Sequence, residues 1–222
     1  MSTVVVGVDV SERRGLDVVA LGPGPALLAP PRRRQTPAEL GRWLVECRPA
    51  AVAIDSPPAW GTDGTRAAEQ ALAGLGLPCF RTPSDPQRCR HPFYNWMRVG
   101  HEAFRAAAEA GYPSYRGGPS AAGCALEVFP HASAVALAGV RPPPGTSRRG
   151  PAKRAWRTAV LEAAGLDRSE LRSLDAVDAA LAALTALLVV AGGDWFAVGD
   201  AVDGFIVLPG LRPDGPYPKS PT

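Results

Sequence analysis

Apolar positions along the chain fall into short blocks separated by glycine, proline and charge. Thr3 to Val10 is a valine-rich run closed by Ser11-Glu12-Arg13-Arg14-Gly15, which predicts a central strand and a tight turn. Leu16 to Leu21 and Ala26 to Ala29, separated by Gly22-Pro23-Gly24-Pro25, extend it into a three-stranded meander. Thr36 then fits a helix N-cap with Pro37 at the first helical position, and Leu40, Trp43, Leu44 and Cys47 recur at helical spacing until Pro49. Ala51 to Ile54 reads as a strand ending on Asp55. Helical patterns follow over Gly64 to Gly76 and Asn95 to Ala110, with a stretch rich in proline and arginine, Pro78 to Pro92, between them. Ala125 to Phe129 predicts a strand, Ala132 to Ala138 a short helix, Pro142 to Gly150 a mobile basic loop and Ala152 to Ala164 a helix. Leu174 to Ala191 is the most apolar helix, and Phe205 to Leu208 a last short strand. The order predicts an α/β fold: a mixed five-stranded sheet with an antiparallel three-stranded opening and helices on both faces.

Composition narrows this further. A chain of 222 residues with 46% hydrophobic and 20% charged residues can bury a real core, which excludes disorder, collagen and a disulfide-built mini-protein. It reads as a single domain over 1–222, with helical insertions around 64–122 and 130–170. The longest nearly uncharged apolar run, Ala179 to Gly193, falls short of the roughly 18–20 residues of a membrane span, and the N-terminus lacks a signal peptide's basic start. A soluble cytoplasmic protein with no membrane partner is expected. Cys47, Cys79, Cys89 and Cys124 form no CxxC pair and read as reduced thiols. Net charge is only +3, and the 24 basic residues include just two lysines, Lys153 and Lys219. Arginine's planar fork suits phosphate.

The chemistry lies in acids placed where acids are costly. In the first strand Val4, Val6, Val8 and Val10 share one face, and Val5, Gly7, Asp9 and Ser11 the other. A carboxylate ending a buried strand costs several kcal/mol unless a cation or several donors compensate it. Asp55 repeats this placement, with Ala51 and Ala53 on its face, just before Ser56-Pro57-Pro58. Both acids end strands, where ligands bind in open α/β sheets, although a turn-forming aspartate also fits either place. Asp175 and Asp178 share one face of the first turn of the apolar helix, where a capping box is the competing explanation. Glu127, inside the strand Ala125 to Phe129, either joins the cluster or holds an arginine.

Carboxylates gathered without cations repel one another. A site of Asp9, Asp55 and Asp178 with Asp175 or Glu127 therefore predicts a hard divalent metal, Mg²⁺ or Mn²⁺, and phosphodiester hydrolysis.

The segments Gly7-Val8-Asp9, Ala53-Ile54-Asp55-Ser56-Pro57, Glu127-Val128-Phe129-Pro130, Asp175-x-x-Asp178-Ala179 and Gly204-Phe205-Ile206-Val207-Leu208-Pro209 resemble the DUF429 family of predicted ribonuclease-H-like nucleases. The resemblance runs over nearly the whole chain. It implies a ribonuclease-H-like fold and metal-dependent nuclease chemistry, with Asp9, Asp55 and Asp178 catalytic and Glu127 and Asp175 as further metal ligands. Nucleic acid is then the expected partner, with Arg148, Arg149, Lys153, Arg154 and Arg157 as phosphate contacts and Arg32-Arg33-Arg34 as a second basic patch.

Two other functions compete. One is a non-catalytic nucleic-acid-binding or assembly module. The other is actin-like nucleotide phosphotransfer, disfavoured by a single domain copy, the lack of a GxxxxGK[ST] loop and Ser11 where a phosphate-loop glycine is expected.

Overall fold

Alternation along the first strand, β1 (Val5–Ser11), sets the two faces of the molecule. Its even residues Val6 and Val8 pack into one apolar layer, and its odd residues begin another. The computed structural model describes residues 4–146 and 150–220, so the expected strand start at Thr3 lies outside the described residues. β1 pairs antiparallel with β2 (Gly15–Leu21), which pairs antiparallel with β3 (Arg32–Gln35). On its other side β1 runs parallel to β4 (Ala51–Asp55), and β4 to β5 (Ala125–Val128). The hairpin of β6 (Trp195–Asp200) and β7 (Gly204–Pro209) adds through β7, parallel to β5. The sheet is thus seven-stranded in the order β3-β2-β1-β4-β5-β7-β6. Five of its strands make the expected mixed arrangement with the antiparallel opening, β7 matches the strand expected at Phe205 to Leu208, and β6 is the addition.

Two strands depart from expectation for physical reasons. Ala26 to Ala29 makes only an isolated bridge, Leu21 to Leu27, before Pro30-Pro31, which has no N–H groups to donate to a ladder. The third strand comes later, in the polar segment Arg32 to Gln35, an edge strand whose side chains mostly face solvent. Arg32 lies over the Trp43 ring at 4.7 Å, and Arg33 donates to Asp17 at 3.1 Å, so two arginines of this basic patch anchor the edge. β6 is half-exposed along most of its length, leaving no apolar block to announce it.

Helices cover both faces. α1 (Pro37–Cys47) starts at Thr36, whose hydroxyl accepts from the Glu39 N–H while the Glu39 carboxylate accepts from the Thr36 N–H. With α4 (Asn95–Glu109) it covers the face of Val6, Val8, Val52 and Ile54. α7 (Leu174–Val190) and α6 (Gly150–Ala163) cover the opposite face, that of Val5, Ala51 and Ala53. α2 (Ala67–Gly74) and α5 (Pro130–Ala138) pack around β6 and β7. The Pro78 to Pro92 stretch contains a short helix, α3 (Pro86–Cys89), and runs into a 3-10 turn over Pro92–Tyr94.

Two glycines let helices approach the strand ends closely. A Cβ on Gly7 would come within 2.1 Å of the Ala179 carbonyl oxygen and 2.2 Å of the Ala183 nitrogen, so α7 lies directly on β1. A Cβ on Gly100 would meet Ser56 Oγ at 1.8 Å, so α4 clamps the chain just after β4. Asp9 follows Gly7 by two residues and Asp55 precedes Ser56. These contacts therefore fix the ends of β1 and β4 against the helices. Among the described residues no helix is long and apolar enough to cross a membrane.

Candidate functional site: a strand-end acid pair beside a basic and aromatic cavity

The register of β1 and β4 sets Asp9 level with Asp55, on neighbouring parallel strands and on the α7 face. The first turns of α7 add Asp175 and Asp178, both buried. Neither caps the helix. Ser173 is the N-cap and its Oγ accepts from the Ala176 N–H at 3.1 Å, which removes the capping-box explanation for the two acids.

The acids differ in what compensates them. Asp178 accepts from Arg157 Nη1, and Asp175 Oδ1 accepts from Arg14 Nη2 at 3.1 Å. Asp17, level with Asp9 on the other side, is held by Arg33. Glu127 turns to Arg66 from α2's N-cap position, its two oxygens accepting from Nη1 and Nη2 at 2.8 and 2.6 Å. Of the alternatives open for Glu127, the arginine partner is the one formed, and both oxygens are engaged. Asp9 is pushed well above the usual carboxylate range by burial and then by Asp55, Asp178, Asp175 and Asp17. Asp55 is pushed up to about 8 by burial and by Asp178, against the pull of Arg157 and Lys153. Burial also raises Asp178 and Glu127, outweighing their arginines.

Among the described residues no three His, Cys, Asp or Glu side chains converge to hold a metal ion. The expected cluster is thus narrower: arginines engage Glu127, Asp175 and Asp178. The donor chemistry of the remaining pair still suits a hard cation, because Mg²⁺ is ordinarily held by one or two carboxylates, with water and substrate phosphate oxygens completing its shell.

Beside this pair opens a cavity of about 400 Å³, lined by both Asp55 and Asp178. Lys153 and Arg157 supply its basic wall, with His131 beside them. Arg157, expected as a surface phosphate contact, is instead buried at 3% exposure, and its Nε lacks a hydrogen-bond partner. It cannot belong to a surface patch, because α6 turns it inward onto Asp178. Arg154 on the same helix is exposed, whereas Arg148 and Arg149 lie outside the described residues. His131 is pushed down to about 4 by burial, Arg157 and Lys153, and so is neutral at pH 7.

The opposite wall was not legible as a site in the sequence. It contains Phe80 and Phe93 from the segment between α2 and α4 and Trp96 from the first turn of α4, together with Glu69 and Arg66. Arg66 is 2% exposed and also donates to the Asp203 carbonyl at 2.9 Å, tying α2 to the β6–β7 hairpin.

These shifts imply a pH dependence. Asp55 keeps its proton to about pH 8 when folded, against 3.8 for the free side chain, so the folded state binds more protons in that window. Stability therefore falls as pH rises through it. His101 and His131, lowered from 6.5 to about 4, act oppositely but only below 6.5. Without divalent cations, urea unfolding should show a loss of about 2 kcal/mol between pH 6.5 and 8, and Asp55→Asn should flatten that slope, burial still holding Asp9 high. An unchanged slope in the variant would assign the titration to other groups.

Fold and site together define a mixed α/β protein with strand-end acids meeting the head of a late helix. The chain belongs to the DUF429 family, whose model, described as "Protein of unknown function (DUF429)", matches residues 7–201. No curated protein matches it in sequence. In structure it is similar to Thermus thermophilus RuvC, at 20% identity and a TM-score of 0.46, over 88% of this chain and 98% of that one. It is similar also to T. thermophilus RuvC in complex with Holliday junction substrate, at 20% identity and 0.46, over 85% and 96%.

Proposed function

We propose that this chain is a metal-dependent nuclease in which Asp9 and Asp55 hold Mg²⁺ or Mn²⁺ and the neighbouring cavity receives the scissile phosphodiester. The observation that carries this reading is the pairing of two aspartates, level with one another at adjoining strand ends, with no arginine or lysine hydrogen-bonded to either among the described residues. When bound, such a cation neutralises phosphoryl charge and activates water. Lys153 and the unpartnered Arg157 Nε bind phosphate oxygens at the basic wall, and Arg157 at the same time orients Asp178 beside the pair. Asp178 joins the reacting centre from there, while Glu127 and Asp175 serve through their arginines. Phosphotransfer from a nucleotide has no such supporting feature.

The direct test is incubation with single-stranded, duplex and branched DNA and RNA in Mn²⁺ or Mg²⁺. Cleavage that a chelator stops is expected. Salt-sensitive binding with no cleavage of any substrate would instead make the chain a binding module.

A further inference from the structure

The cavity has two chemically different walls. One bears Asp55, Asp178, Lys153 and Arg157, the groups suited to a phosphodiester. The other bears large apolar rings left open to solvent. Phe80 is 65% exposed and Phe93 49%, their ring centroids 5.4 Å apart and edge to face, with Trp96 6.5 Å from Phe80. Exposed aromatics clustered beside a basic wall match the platforms on which unpaired bases stack. A cavity of about 400 Å³ is in the range that takes one small ligand unit.

A second observation concerns Glu69. Its side chain is 3% exposed, and Oε1 accepts from the Thr82 N–H at 2.7 Å. Oε2 is buried with no hydrogen-bond partner. Arg66 does not satisfy it, since the guanidinium is spent on Glu127 and lies 4.0 Å from Oε1. A buried carboxylate oxygen on the cavity wall is an acceptor awaiting a donor.

Resting on the nuclease reading for its choice of ligand, we propose that the cavity takes one unpaired nucleobase, stacked on Phe80 and Phe93, whose amino edge donates to Glu69 Oε2. Cytosine and adenine present an exocyclic amine to such an acceptor. Thymine and uracil offer only an N3–H flanked by two carbonyls, which a carboxylate repels. The substrate class is then single-stranded or locally unpaired nucleic acid, with amino-bearing bases preferred at the bound position.

Equilibrium binding of labelled dA, dC and dT pentamers and of a duplex, measured in EDTA, tests this without cleavage and without the cation. The wild type should bind dC and dA about 5-fold more tightly than dT, and the duplex more weakly than any of them. Phe80→Ala should lose about 10-fold or more for every pentamer, whereas Phe80→Tyr keeps the platform and the affinity. Glu69→Gln keeps the Thr82 bond and places an amide donor where Oε2 was, so the preference should turn toward dT. Melting temperatures confirm that each variant folds. No binding, equal affinity for duplex, or affinities indifferent to Phe80 and Glu69 would overturn the proposal. Cleavage of duplex by a protein with that indifference would do so while leaving the nuclease reading standing. The predicted binding pattern with no cleavage under any metal would uphold the base site and contradict the nuclease.

Discussion

Asp9→Asn is expected to lower metal-dependent cleavage by about 10³-fold or more, while the metal-free protein stays at least as stable as the wild type. Both halves of this result follow from the same surroundings. Asp9 is 9% exposed, and every charged neighbour that shifts it is a carboxylate: Asp55, Asp178, Asp175 and Asp17. Its ionised form is therefore costly in the empty fold, and an isosteric amide relieves that cost. The same ionised form is what a divalent cation requires, so the relief removes the ligand. Single-turnover cleavage with melting of the metal-free protein separates this from simple damage. Cleavage within a few-fold of wild type would remove Asp9 from the reacting centre.

Arg66→Ala is expected to cost about 3–5 kcal/mol of unfolding free energy, among the largest effects of any single side chain. Arg66 is buried at the junction of α2, β5 and the β6–β7 hairpin, donating to Glu127 and to the Asp203 carbonyl. Its removal leaves Glu127 buried without its cation, and burial already holds Glu127 above the ordinary carboxylate range. Adding Glu127→Leu should recover part of the loss, the remainder reflecting Glu69, whose buried Oε1 lies 4.0 Å from Arg66. Urea unfolding of the single and double variants measures it. Additive losses would show that the two residues stabilise the fold independently.

The parts of this molecule that follow local periodicity were legible in the sequence. The face of β1 that carries Asp9, the strand end at Asp55 and the apolar helix headed by Asp175 and Asp178 all follow from spacings of two or three to four residues. The edge strand at Arg32 to Gln35 was not legible, since an edge needs no apolar face, and its arginines read as a nucleic-acid patch. Partner choice was equally hidden. Arg66 meets Glu127 and Arg157 meets Asp178 only through the fold, and each pairing reassigns residues that composition alone offered to metal or to surface phosphate. Gly7 was legible as the small residue on the Asp9 face, but not that the backbone of α7 lies against it. Phe80 comes from a proline-rich segment with no periodicity, so only tertiary structure brings it beside Glu69 and the Trp96 of α4.

Thermal unfolding across Mn²⁺ concentrations, for wild type and Asp9→Asn, tests most directly whether the strand-end pair is a cation site. Wild type should be stabilised by about 2.7 kcal/mol when the metal reaches a hundred times its Kd, and Asp9→Asn should show little or no response. Equal stabilisation of both proteins, or none in either, would contradict a cation held by Asp9 and Asp55.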